Sequence, residues 1–225
     1  MKSCAFIAET ADFTSAYFWN IMLTLQRYYP TACGHNYFYL FSEENMSRFA
    51  VLLAEGFEEI EFCTITDILR RADLEVKIVG LKNGLTGGSR GIRIMPDLGI
   101  DELKSSDYEV LVLPGGNPGF INMGKDQRVL ELIRSAHAEG KYLAAICAGP
   151  AVLSRAGVIN GKEVAIYPGV KHLLKNCTAC DLRVKVEGKL ITGRSPQAAM
   201  DFALTLMDMF AKPQAAKVVR DEMLV

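Results

Sequence analysis

Several kinds of residue run are missing from this 225-residue chain, and each absence removes a class of function. No stretch of Lys or Arg is dense enough to mark a nucleic-acid or acidic membrane surface, and the formal charge is −1. No apolar run reaches the roughly 18 residues of a membrane-spanning helix. Glu9 and Asp12 interrupt the N-terminal stretch that would have to serve as a signal peptide. The six cysteines, Cys4, Cys33, Cys63, Cys147, Cys177 and Cys180, are scattered and form no dense disulfide framework, which fits a reducing cytoplasm. There is no G-x-x-x-x-G-K-S/T phosphate loop and no G-x-G-x-x-G after a strand; Gly84 to Gly91 reads as a turn before Ile92-Arg93-Ile94. The Cys177-x-x-Cys180 spacing has no second pair or zinc-spaced histidine beside it, leaving a redox pair or two ordinary loop thiols. A small-molecule ligand is expected, with no metal, nucleic acid or membrane partner.

What is present is the composition of a soluble globular domain, 50% apolar and 23% charged. The exception lies at the start. Residues 1–45 hold eleven of the twenty aromatic side chains and the only tryptophan, Trp19, without a clean helical or strand period. This segment reads either as an appendage or start-site artefact, disordered and dispensable, or as an aromatic arm covering a dimer or partner surface. The fold is assigned to residues 46–225. A chain beginning at Met46 is therefore expected to melt at the same temperature as the full chain; a large loss of cooperativity would put the arm in the core.

From Met46 onward, nearly continuous apolar runs alternate with helical patterns. Phe49–Ala54, Val76–Val79, Val110–Leu113, Leu143–Ile146 and Leu190–Thr192 read as parallel strands buried on both faces. Ile65, Ile68, Leu69 and Ala72 share one helical face, as do Ala199, Phe202, Ala203 and Leu206, and a third stripe holds Val129, Ile133 and Ala136. That order implies an α/β fold: a doubly wound, mostly parallel sheet with helices on both faces. Ligands of such sheets sit at the carboxyl ends of the strands. The loops there read Ala54-Glu-Gly-Phe-Glu-Glu-Ile-Glu61, Leu113-Pro-Gly-Gly-Asn-Pro-Gly119 and Ala145-Ile-Cys-Ala-Gly-Pro150.

Ala145-x-Cys147-x-Gly149 has the shape of the small-x-nucleophile-x-small elbow, with a strand before it and a helical stretch after it. Small neighbours are needed because the tight turn strains the nucleophile's backbone and brings other backbone close. A helix start stabilises a thiolate through unpaired N–H groups. A buried structural cysteine is the alternative.

Taken together, Ala144-Ala-Ile-Cys147-Ala-Gly-Pro150, Val112-Leu-Pro-Gly-Gly116, Ala54-x-Gly-x-Glu-Glu-x-Glu61 and Leu190-Ile-Thr-Gly-Arg-Ser-Pro196 resemble the ThiJ/PfpI family, in the branch that includes the parkinsonism-associated deglycase. The resemblance runs from Ser47 to about Val225 and implies a flavodoxin-like sandwich of the class I glutamine amidotransferase-like superfamily. It also implies a homodimer and chemistry without a cofactor. By this resemblance Cys147 is the nucleophilic, oxidation-sensitive cysteine and Glu61 the carboxylic acid that hydrogen-bonds its sulfur. Glu61 otherwise reads as a solvated acid in a helix first turn. Gly116 and Ala148 would supply oxyanion-hole N–H groups, although Gly115-Gly116 also suits a plain turn. Glu58, Gly115, Tyr167 and Arg194 are candidate substrate contacts, Arg194 alternatively meeting a neighbouring subunit.

Burial is expected to raise the Glu61 pKa, and the helix start to hold the Cys147 thiol below its ordinary value. One departure stands out. Where much of the family has histidine near the cysteine, this chain has Tyr167, and none of His35, His137 and His172 occupies a motif position. Proton transfer is then left mainly to Glu61. The implied activity is glyoxalase- or deglycase-like, on small α-oxoaldehydes or their adducts; the alternative is a redox sensor or chaperone signalling through oxidation of Cys147.

Overall fold

The structure, a computed structural model, describes residues 48–225, so the expectations for residues 1–45, Cys4, Cys33 and His35 included, lie outside the described residues. In chain order the elements are β1 (Arg48–Leu53), α1 (Glu59–Arg71), β2 (Glu75–Gly80), β3 (Thr86–Gly87), β4 (Arg93–Ile94), β5 (Leu98–Gly99) and β6 (Val110–Leu113). There follow α2 (Gly119–Lys125), α3 (Gln127–Ala138), β7 (Tyr142–Ile146), α4 (Gly149–Ala156), β8 (Glu163–Ala165) and β9 (Thr178–Cys180). The chain ends in β10 (Val184–Glu187), β11 (Leu190–Gly193), α5 (Ala199–Phe210) and α6 (Pro213–Met223).

Strand β1 shows why the sheet is sandwiched. Phe49, Val51 and Leu53 point into one apolar layer with Ile65 and Ile68 of α1 and Phe202 and Leu206 of α5. Ala50, Leu52 and Ala54 point into the other, with Val129 and Ile133 of α3 and Val152 and Leu153 of α4. Each of these large apolar side chains contributes about 1.5–3 kcal/mol when withdrawn from water. Burial of both faces is what gives β1 its unbroken apolar run, RFAVLL, instead of alternation.

The seven-stranded sheet has the order β10-β11-β7-β6-β1-β2-β5, parallel throughout except for the antiparallel β10–β11 pair. The chain thus winds outward from β1 in both directions, and the order reverses between β1 and β6, the usual place for a ligand crevice. All five expected strands are present. The sheet adds the short edges β5 and β10, and two separate ribbons stand apart from it: the antiparallel β3–β4 pair and the parallel β8–β9 pair. Gly84 to Gly91 is thus part of a small hairpin, more than the bare turn expected of it. Among the described residues no helix is long and apolar enough to cross a membrane.

Candidate active site at the sheet switch point

The loops after β1, β6 and β7 meet at the reversal. Cys147 follows β7 directly, with φ +60°, a left-handed backbone that costs a non-glycine residue about 1–3 kcal/mol. Both of its backbone groups are tied down: its N–H donates to the Gly193 carbonyl at 2.9 Å, and its carbonyl accepts from Tyr167 N–H at 2.8 Å. Ala148 is the N-cap of α4, so the thiol lies just ahead of that helix's first turn. Gly149 shows why small flanking residues are needed, since a Cβ there would stand 2.4 Å from the Leu113 carbonyl oxygen.

Glu61 reaches the cysteine from α1. Its side chain is fully buried, and Oε2 accepts from Gly115 N–H at 2.7 Å. Gly115 returns the link, because its carbonyl accepts from Glu58 N–H at 3.1 Å while the Glu58 carboxylate accepts from Glu61 N–H at 2.8 Å. These three hydrogen bonds close a ring that clamps the start of α1 to the loop after β6. Gly115 lies between acid and cysteine: a Cβ on it would be 2.8 Å from both Cys147 Cβ and Glu61 Oε2.

Glu61 Oε1 is, among the described residues, the one buried side-chain oxygen or nitrogen without a hydrogen-bond partner at normal geometry. Burial pushes the Glu61 carboxyl up to about 7; the nearby Cys147 thiol and Gly115 N–H pull against it, and the Glu58 carboxylate adds to the rise. For Cys147 the sequence-based expectation needs correction. Burial pushes the thiol up, the Glu61 carboxylate adds to this, and Ala148 N–H is the group that opposes them. One N–H at a helix start does not outweigh desolvation and a facing carboxylate.

The other candidates have mixed fates. Glu58, a candidate substrate contact in the sequence, caps α1. Glu58→Ala is expected to cost about 1 kcal/mol of stability in urea unfolding, the usual effect of losing a cap; an unchanged midpoint would refute that role. Gly115 N–H is committed to Glu61, whereas Gly116 N–H carries no hydrogen bond among the described residues. Tyr167 is joined to Cys147 through its backbone, with its side chain 46% exposed. Arg194 follows Gly193 and faces Asp181, donating to its backbone carbonyl at 3.1 Å and standing 3.5 Å from its carboxylate. His137 and His172 are exposed, in the last turn of α3 and in the 3-10 turn Pro168–Leu173, and neither hydrogen-bonds to the site.

Cys177 and Cys180 are free thiols, Cys180 within β9 and Cys177 just before it. Among the described residues no group of three or more His, Cys, Asp or Glu side chains is placed to hold a metal ion. What sequence reading missed was the backbone hold on the cysteine from β11, and the buried Thr192 hydroxyl that accepts from Ala165 N–H at 2.9 Å. Within an apolar strand a threonine gives no signal of such a role.

Known proteins share this arrangement of chain. The DJ-1/PfpI family pattern matches residues 47–209. The protein dj-1beta of Drosophila melanogaster is 40% identical over 184 residues, 80% of this chain and 98% of its own. Its crystal structure superposes with a TM-score of 0.76, covering 80% of this chain and 99% of that one. A deglycase of Pyrococcus abyssi is 32% identical over 66% of this chain and 90% of its own, and a glutathione-independent glyoxalase of Caenorhabditis elegans 28% identical over 75% and 90%. With the domain matched from the start of β1 into α5 and the fold shared over 80% of the chain, the chain belongs to the DJ-1/PfpI family.

Proposed function

We propose that this protein is a cysteine-dependent enzyme acting on small α-oxoaldehydes or their adducts, with Cys147 as nucleophile and Glu61 as the proton-transferring acid. The observation that carries the reading is a fully buried Glu61 carboxyl, with Oε1 unpartnered, that interacts with the thiol of Cys147, a residue held in strained backbone. With Oε2 occupied by Gly115 N–H, a proton on the carboxyl belongs on Oε1, where it can be given to and taken from the substrate. The names of the two relatives, a deglycase and a glyoxalase, support the same class of chemistry.

The reactive state arises when the sulfur proton passes to Glu61, which keeps the charge of the pair unchanged. The thiolate adds to the aldehyde carbon of methylglyoxal, and the developing oxyanion, facing the N–H groups of Gly116 and Ala148, takes the Glu61 proton. In the hemithioacetal so formed, the Glu61 carboxylate removes the hydrogen from the former aldehyde carbon. The electron pair moves to the ketone oxygen as an enediolate, the proton returns to the neighbouring carbon, and the hydroxyl proton on the first carbon's oxygen passes to the second carbon's oxygen. A 2-hydroxy thioester results, and water hydrolyses it to lactate and the free thiol. The aldehyde carbon is oxidised and the ketone carbon reduced within one molecule, so the balance needs water alone and no cofactor. With Tyr167 in place of an imidazole, turnover is slow.

The test is methylglyoxal consumption with lactate formation, without glutathione. No turnover on any α-oxoaldehyde, while Cys147 still oxidises selectively to the sulfinic acid, would replace the enzyme by the redox sensor. We propose in addition that the protein acts in the cytoplasm as a homodimer. Ile60 on α1 is 59% exposed and Val218 on α6 is 53% exposed, apolar surface that a second copy would cover. Sedimentation at micromolar concentration should show dimer; monomer alone would remove this part of the reading.

A further inference from the structure

We propose that Thr192 is a positioning residue for Cys147, acting through its hydroxyl on the segment that holds the cysteine's carbonyl. The inference rests on the reading of Cys147 as the working residue.

The hydrogen bonds form a closed path around the elbow. Cys147 N–H donates to the carbonyl of Gly193 in β11, and Cys147 carbonyl accepts from Tyr167 N–H. Tyr167 lies two residues beyond β8, which pairs with β9 alone and has no ladder to the main sheet. The Thr192 hydroxyl crosses that gap. Fully buried and next to Gly193, it accepts from Ala165 N–H at 2.9 Å, the last residue of β8. One strand therefore holds both sides of the strained residue, the amide through Gly193 and the carbonyl through Thr192, Ala165 and Tyr167. A left-handed non-glycine residue persists when its surroundings over-determine it. Without the hydroxyl, Ala165 N–H is left buried and unsatisfied, and the 165–167 segment loses its side-chain tie to the sheet. Valine has nearly the same shape as threonine and lacks only this acceptor; serine keeps it.

The experiment compares full-length wild type, Thr192→Val and Thr192→Ser by iodoacetamide labelling across pH 5–9, mapped to individual cysteines, with melting curves alongside. Thr192→Val should label Cys147 about tenfold more slowly at neutral pH, the effect of one lost buried hydrogen bond, with an altered pH profile and with Cys63 and Cys180 unchanged. Thr192→Ser should stay within about twofold of wild type, as expected where the hydroxyl is what matters. Equal Cys147 rates and profiles in Val and wild type would overturn the proposal. If the valine variant does not fold, a serine variant as slow as a Cys147 freed from its hold, or rapid wild-type hydrogen exchange at Ala165, would overturn it too. Labelling needs no aldehyde. A wild type that turns over no α-oxoaldehyde refutes the enzyme reading, while the labelling comparison still decides the role of Thr192.

Discussion

Cys147→Ser is expected to abolish methylglyoxal turnover and to remove the site of selective oxidation while leaving the fold intact. A serine hydroxyl is close to the thiol in size, leaves the residue's two backbone hydrogen bonds in place, and can donate to the Glu61 carboxyl with which the thiol interacts. The melting temperature should therefore stay within a few degrees of wild type, since the change leaves no cavity and no buried group without a partner. What is lost is nucleophilicity, because at neutral pH the hydroxyl yields no useful anion in exchange with a carboxyl that titrates near 7. In the wild type, Cys147 should outpace the more exposed Cys63 in alkylation and peroxidation. Burial raises the Cys63 thiol, and Glu59, Glu58 and Asp67 raise it further with no hydrogen bond opposing them, whereas Ala148 N–H stabilises the Cys147 thiolate. Residual turnover above a tenth of wild type in Cys147→Ser would move the chemistry to another residue.

The three acids at the start of α1 show how much of this site was legible in sequence. Glu58, Glu59 and Glu61 all read as helix-start carboxylates, and each turns a different way because successive helical residues are about 100° apart. Glu58 caps the helix. Glu59 turns to the β3–β4 hairpin, accepting from Arg90 N–H and the Ser89 hydroxyl; burial acts to raise its pKa, but these bonds outweigh it and hold the carboxyl below the ordinary value. Only Glu61 faces the cysteine, and family resemblance, not periodicity, singled it out.

The central strands were readable because burial on two faces leaves long apolar runs, whereas β3, β4 and β5 have two residues each, too few to show a period. The elbow was readable because strain and close backbone contacts demand small residues around one nucleophile. The direction of the thiol's pKa was not, because it depends on solvent exclusion and on which carboxylate stands opposite, quantities set by the whole fold.

Glu61→Gln should separate the two parts of the mechanism. The glutamine carbonyl can take over the hydrogen bond from Gly115 N–H, which places the amide NH2 where the unpartnered Oε1 stands, within a side chain that interacts with the thiol. A donor to the thiolate remains, and the competing carboxylate charge that raises the thiol is gone. Alkylation of Cys147 at neutral pH should then be at least as fast as in wild type. Turnover should fall by roughly 10² to 10⁴, because an amide cannot shuttle the proton between the two substrate carbons. Stability moves the other way. A carboxyl that titrates at about 7 when folded and at its ordinary 4.5 when unfolded binds its proton more tightly in the native state. Its contribution therefore weakens as pH rises through 4.5 and levels off above 7, a loss of up to about 3 kcal/mol. Glutamine does not titrate, so urea unfolding at pH 4.5 and pH 8 should show the variant gaining on wild type by up to that amount. Parallel stability profiles for the two proteins, together with unimpaired turnover, would mean that Glu61 neither holds nor moves the proton.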